Sequence, residues 1–151
     1  MKLIGVISDT HGLLREEAVQ ALRGVDLIIH AGDIGSEEVI RELRKIAPVI
    51  AVRGNCDRDQ WAKAYPKTEY VEIDDTRIYV LHELNWLNID PKGAGINIVI
   101  SGHSHRPKEE KKDGVLYLNP GSAGPRRFNL PVSVARLTLH GTTSSVDFIS
   151  I

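Results

Sequence analysis

The 151-residue chain sets nineteen Lys and Arg against twenty Asp and Glu, a net charge of −1, with 42% hydrophobic residues and thirteen glycines. So even a balance excludes a chain drawn to nucleic acid or an acidic membrane by its overall field. The length suits one domain, residues 1–151, able to bury about 70% of its unfolded surface.

KLIGVIS (2–8) is a short apolar run that polar residues stop, the pattern of a buried strand. REEAVQALR (15–23) sets Ala18, Ala21 and Leu22 on one helical face. DLIIHA (26–31) predicts a second strand, and SEEVIRELRKI (36–46) a helix capped by Ser36, with two glutamates in its first turn and Pro48 beyond its end. VIAV (49–52) is a third strand. Strands alternating with helices predict a parallel sheet with right-handed crossovers.

The later residues change character. EYVEI (69–73) and RIYVLH (77–82) predict a hairpin, INIVIS (96–101) and VLYLN (115–119) two further strands, and VSVARLTL (132–139) with SSVDFIS (144–150) a hairpin turning at His140 and Gly141. KEEKKDG (108–114) reads as a solvated loop between strands. With no repeat or linker, the two halves are expected to pack as two sheets with helices outside.

Residues able to hold a metal gather just past the predicted strand ends. Asp9 and His11 follow the first strand, Asp33 the second and Asn55 the third; His82 closes RIYVLH, and His103 and His105 follow INIVIS. In open α/β sheets the C-terminal strand ends face the binding crevice, so these residues can converge. Two aspartates, four histidines and an asparagine suit Mn²⁺, Fe²⁺ or Zn²⁺. Seven groups exceed the needs of one ion, and a bridging carboxylate would let them serve two. Gly32, Gly54 and Gly102 each precede a candidate ligand, where a missing Cβ lets backbone come close.

SDTHG (8–12), AGD (31–33), RGNCD (53–57), SGHSH (101–105) and NPGS (119–122), in this order, resemble the calcineurin-like metallophosphoesterases, and most closely their small single-domain phosphodiesterase branch, which includes a retromer coat subunit. The resemblance implies a four-layer α/β/β/α sandwich of two mixed sheets. It also implies a dinuclear site, with Asp9, His11, Asp33 and His105 on one metal and Asp33, Asn55, His82 and His103 on the other. Manganese is the first expectation, with iron, nickel, zinc and magnesium as alternatives. Two positions depart from the family pattern. Glu83 and Leu84 follow His82 where glycine and histidine are usual, which makes His82 the least secure ligand. Cys56 stands where many relatives carry a histidine near the leaving group.

The reading that results is a phosphodiesterase in which a metal-bridging hydroxide attacks phosphorus, with Asp33, Asn55 and His103 as catalytic residues. Arg126 and Arg127 are candidate phosphate contacts through their guanidinium forks, and Cys56 a leaving-group contact. A thiol nucleophile is the weaker reading of Cys56, because a metal pair activates water more directly. Asn119 and Ser122 read as a pocket wall, Asp57 as a brace for its loop, His30 as a buried or supporting residue and His140 as solvent-facing. The competing reading is a metal-binding scaffold with little activity, for which Leu84, Trp86 and Leu87 would offer an apolar surface, although a core-facing segment is the simpler account. The expected partner is a small phosphoester, with no stable nucleic-acid complex, no membrane and a homo-oligomer left open. The single cysteine fits a reducing cytoplasm. So do an opening apolar run too short for a signal segment and the want of any run near the ~20 residues of a bilayer span.

Overall fold

In the computed structural model, which describes residues Met1–Ile151, the chain forms ten strands in two five-stranded sheets. The chain runs β1 (Lys2–Ile7), α1 (Glu16–Ala21), β2 (Leu27–His30), α2 (Glu37–Arg44) and β3 (Val49–Ala51). After a 3₁₀ turn at Gln60–Ala64 come β4 (Thr68–Ile73), β5 (Thr76–Leu81), β6 (Ile98–Ile100), β7 (Pro107–Lys112), β8 (Val115–Pro120), β9 (Ser133–His140) and β10 (Thr143–Ser150).

The first sheet has the order β10-β9-β1-β2-β3, with β1, β2 and β3 parallel and β9 antiparallel to β1. The second has the order β4-β5-β6-β8-β7, with β5, β6 and β8 parallel between antiparallel edges. The halves therefore do not each form a sheet: the last hairpin returns to the first one, where Gly5 pairs with Arg136. The alternation along β9 explains this. Ala135, Leu137 and Leu139 face the second sheet, in register with Ile4 and Val6 of β1.

Ile4, Val6 and Ile29 from one sheet meet Ile78, Val80, Ile98 and Ile100 from the other in the central core. On the far face of the first sheet, Ala18 and Leu22 near α1 and Val39, Ile40 and Leu43 of α2 cover Ile7 and Ile28. Ser36 sits at the N-cap of α2 with extended backbone, but its side chain makes no capping bond. Glu37 and Glu38 in the first turn and Arg41 and Arg44 in the last complement the helix dipole instead.

Two expectations are corrected here. KEEKKDG is not a loop: residues 107–112 form β7, an exposed edge strand whose backbone pairs with the full length of β8. The outer layer over the second sheet is not an α-helix either. A 3₁₀ turn at Leu84–Trp86 and the following turns, with Leu87 and Ile89, cover Leu81, Val99 and Val115. No helix is long and apolar enough to cross a membrane.

Candidate metal centre

The parallel strands β1, β2, β3, β5 and β6 all end at one edge of the sandwich, and backbone bonds lash their loops together. Asp9 N–H donates to Gly32 O at 3.0 Å, His11 N–H to Asp33 O at 2.9 Å, and Gly102 N–H to His82 O at 2.9 Å. Across the two sheets, His103 N–H donates to Asp9 Oδ2 at 3.0 Å and Ser122 Oγ to Asp9 O at 3.1 Å. Close approach explains all three glycines. A Cβ on Gly32, which also has a positive φ, would collide with the His82 side chain, one on Gly54 with Asp33, and one on Gly102 with Ser8 and Asp9.

Six of the seven expected ligands converge there. Ligand atoms of Asp9, His11 and His105 lie within 4.8 Å of one another, as do those of Asp33, His82 and His103. Asp33 Oδ2 links the groups, 3.7 Å from His11 Nε2 and 3.2 Å from His82 Nε2. His82 is fully buried, and its Nδ1 donates to Ala31 O at 2.8 Å, which leaves Nε2 turned toward the aspartates. Its position is therefore well fixed despite the residues that follow it. Asn55 differs: it is exposed at the rim, where Nδ2 lies 3.6 Å from Cys56 Sγ and hydrogen-bonds to none of the other ligands.

Polar satisfaction tests whether this set suits an ion. Asp9 Oδ1, His11 Nε2, His82 Nε2 and His105 Nδ1 are buried without a hydrogen-bond partner, although such groups are nearly always paired. The ring Nε2 atoms of His11, His82 and His105 stand 3.8, 3.8 and 3.4 Å from Asp9 Oδ1. Ligands on one ion with bonds of about 2.1 Å stand roughly 3.0–3.4 Å apart. Asp9 Oδ1, His11 Nε2 and His82 Nε2 are thus both unpaired and at near-ligand spacing, an oxygen and imidazole set that fits a divalent cation.

The electrostatics agree. Burial opposes ionisation of Asp33, but His82 and the Cys56 N–H donated to Oδ1 outweigh it and bring the pKa down to about 2. Burial likewise opposes ionisation of Asp9, and His105, His82 and the Ser8 hydroxyl overcome it and hold its pKa below the ordinary value. Both carboxylates are ready as anions. His30, fully buried, is pushed down to about 4 by burial, so it stays neutral and bridges Thr10 Oγ1 and Gly32 N–H in the supporting role expected.

The backbone is strained at the same place. Eight non-glycine residues have positive φ, and five are Asp9, His11, Asp33, His103 and His105, at 47° to 71°. Such conformations cost on the order of 1–3 kcal/mol each and cluster at functional sites.

A family profile, the calcineurin-like phosphoesterase superfamily domain, matches residues 1–142. The chain belongs to this superfamily. It is 35% identical to a probable metallophosphoesterase of Methanothermobacter thermautotrophicus over 97% of this chain and 91% of that protein. Among solved structures it superposes on an archaeal phosphodiesterase with a TM-score of 0.81 and 28% identity, covering 97% of this chain and 99% of that one. It also superposes on Vps29 of Entamoeba histolytica, crystallised with zinc, with a TM-score of 0.77 and 22% identity over 98% of each chain, a likeness of fold alone. The chain is a metal-dependent phosphoesterase, and calcineurin-like phosphoesterases use divalent metals.

Other expected contacts lie around the centre. Cys56 is exposed, and its Sγ comes within 4.8 Å of ligand atoms of His11 and Asp33. Partial burial and the Asp33 carboxylate raise its pKa, which disfavours the thiolate. Arg126 and Arg127 are exposed in the loop after Gly124. Asn119 walls a groove of about 640 Å³ that opens beside His103 between Leu84, Lys108 and Tyr117. Its Nδ2 also pins Gly102 O at 2.9 Å and Ser104 Oγ at 3.1 Å. Leu84 and Trp86, expected to face the core, are 42% and 40% exposed; only Leu87 packs inward. His140 is exposed. Sequence reasoning gave no role to Glu83, whose Oε2 lies 2.9 Å from His103 Nε2. The one signal for it was its departure from the family pattern.

Proposed function

We propose that this phosphoesterase is a two-metal phosphodiesterase. The observation that carries the reading is the pair of ligand groups joined at Asp33 Oδ2, in which Asp9 Oδ1, His11 Nε2, His82 Nε2 and His105 Nδ1 are buried without a hydrogen-bond partner. Asp9, His11, Asp33 and His105 would hold one ion, and Asp33, Asn55, His82 and His103 the other, with manganese the first expectation. When bound, such ions supply a water of lowered pKa and neutralise charge that builds on phosphorus.

The protein's own residues do the rest. Asp33 is kept anionic and oriented by the Cys56 N–H. Asn55, at the rim beside Cys56, would complete the hold on the second ion from the substrate side. Arg126 and Arg127 reach for the phosphate from their loop. The groove beside His103 has room for a substituent on the phosphoryl group, which favours a diester over a monoester. A single-domain cytoplasmic enzyme acting on a small phosphoester, without nucleic acid or membrane, completes the reading.

The test is metal analysis of the purified protein followed by hydrolysis of bis-p-nitrophenyl phosphate and p-nitrophenyl phosphate with each of several added divalent metals. Faster diester turnover that Asn55→Ala abolishes is expected; monoester preference would sink the diester reading. Leu84 and Trp86, exposed beside the centre, favour a second reading, a metal-binding scaffold. An inactive wild type under every metal would support it.

A further inference from the structure

We propose that Glu83 is a positioning residue for His103, its carboxylate holding the ring so that Nδ1 rather than Nε2 is offered to a metal. The inference rests on the reading of His103 as a ligand.

Glu83 is fixed at both oxygens. Oε1 accepts the Asn85 N–H at 3.2 Å as the N-cap of the 3₁₀ turn, and Oε2 lies 2.9 Å from His103 Nε2. Its side chain is only 14% exposed, whereas that of His103 is 47% exposed and needs an external hold. The chain provides that hold economically. His82 points into the cluster and Glu83, the next residue, points the other way, toward the loop after β6. That loop is tied to the same spot by the bond from Gly102 N–H to His82 O. The two rings meet edge to face, with centroids 5.2 Å apart at 86°.

One ring nitrogen of His103 belongs to the group with Asp33 and His82, and Glu83 occupies Nε2. The nitrogen left for an ion is Nδ1. His82 follows the same logic with the nitrogens exchanged, since Ala31 O takes Nδ1 and leaves Nε2. Metal-ligating histidines characteristically donate their second N–H to a carboxylate or carbonyl, which sets the tautomer and makes the ligand more basic; loss of such a partner costs 10–100-fold in metal affinity. Glu83, which breaks the family's usual sequence after His82, thus acts on the other histidine of the second group.

The experiment uses ¹⁵N-labelled protein loaded with diamagnetic Zn²⁺, and two-bond ¹H–¹⁵N spectra of the imidazoles in wild type, Glu83→Gln and Glu83→Ala. His103 is expected to carry its proton on Nε2 with Nδ1 on the metal. Glu83→Ala should lose that signature and weaken Zn²⁺ binding at one site about 10–100-fold, with unchanged circular dichroism. Glu83→Gln, which can still accept the Nε2–H, should stay within a few-fold of wild type. Metal on Nε2 of His103, wild-type affinity in Glu83→Ala, or a Gln variant as weak as the Ala variant would each overturn the proposal while two bound ions leave the two-metal reading standing. A wild type that binds no Zn²⁺ would overturn both.

Discussion

Asp57 shows how much of the centre depends on a residue that touches no candidate ligand side chain. Its Oδ2 accepts the N–H groups of Ile34 at 3.0 Å and Gly54 at 2.9 Å, and Oδ1 that of Gly35 at 3.0 Å, so one buried carboxylate joins the loops after β2 and β3. Asp57→Ala would strand three donors and is expected to cost about 3 kcal/mol or more. Asp57→Asn, which keeps one good acceptor, should fall between it and wild type. Urea unfolding checks the order, and an alanine variant of wild-type stability would mean that water replaces the carboxylate. Cys56 bears on chemistry rather than stability. Its thiol is held protonated and stands where a leaving-group acid is expected, yet partial burial and the Asp33 carboxylate raise its pKa and make it a poor proton donor. Turnover should therefore depend steeply on leaving-group pKa across a series of aryl and alkyl diesters, and Cys56→His should flatten the slope; equal slopes with metal content intact would remove residue 56 from the reaction. At this scale the residue types were readable but their conformations were not. Asp9, His11, Asp33, His103 and His105 adopt positive φ because turns from two sheets crowd one edge, and nothing local in SDTHG or SGHSH announces that.

Among the elements, strands with apolar runs were legible and strands made by their neighbours were not. KLIGVI and LIIH are apolar enough to predict their own burial, whereas β7 is PKEEKK and nearly all its side chains are exposed. It is a strand because β8, with Val115, Leu116 and Leu118 buried, presents backbone groups that need partners. Its charges then protect the new edge from other chains. Replacing Glu109 and Lys111 with valine changes the face opposite the groove, which Lys108, Glu110 and Lys112 line. The expected result is little change in unfolding free energy, within about 0.5 kcal/mol, but marked light scattering below the unfolding temperature. Scattering equal to wild type would mean that the edge is guarded by something other than charge. The segment after His82 misled for a related reason. Its apolar residues suggested a core-facing stretch, yet covering one sheet face takes Leu87 and Ile89, which leaves Leu84 and Trp86 outside, with Lys67 Nζ 5.9 Å above the Trp86 ring.

For the whole molecule, the order of polar blocks at strand ends carried more information than any pairing, because both sheets deliver those ends to one edge whichever way the last hairpin attaches. That hairpin could not be placed from sequence, since the contact between β1 and β9 joins residues about as far apart as the chain allows and alternation alone fits either sheet. The common edge also ties stability to pH, with opposite signs in the two metal states. In metal-free protein, burial opposes the charged form of His82, but the Asp33 and Asp9 carboxylates outweigh it and raise its pKa above the ordinary 6.5. A raised folded-state pKa gives stability that is complete below about 6.5 and is lost as pH climbs through the folded value. His82 should therefore weaken metal-free protein from pH 6.5 to pH 8, partly offset by His30, whose folded form is already neutral while its unfolded form sheds its proton near 6.5. Ions require neutral imidazole and compete with the His82 proton, so their contribution grows over the same interval. Mn²⁺ at 100 times its dissociation constant should add about 2.7 kcal/mol per site, or roughly 5–10 °C in Tm for a chain of this size. Urea and thermal unfolding in EDTA and in Mn²⁺ at pH 6.5, 7.2 and 8 should give two curves that diverge as pH rises. Parallel curves would mean that the ions bind away from His82, and a metal-free curve that rises with pH would mean that the carboxylates do not stabilise its proton.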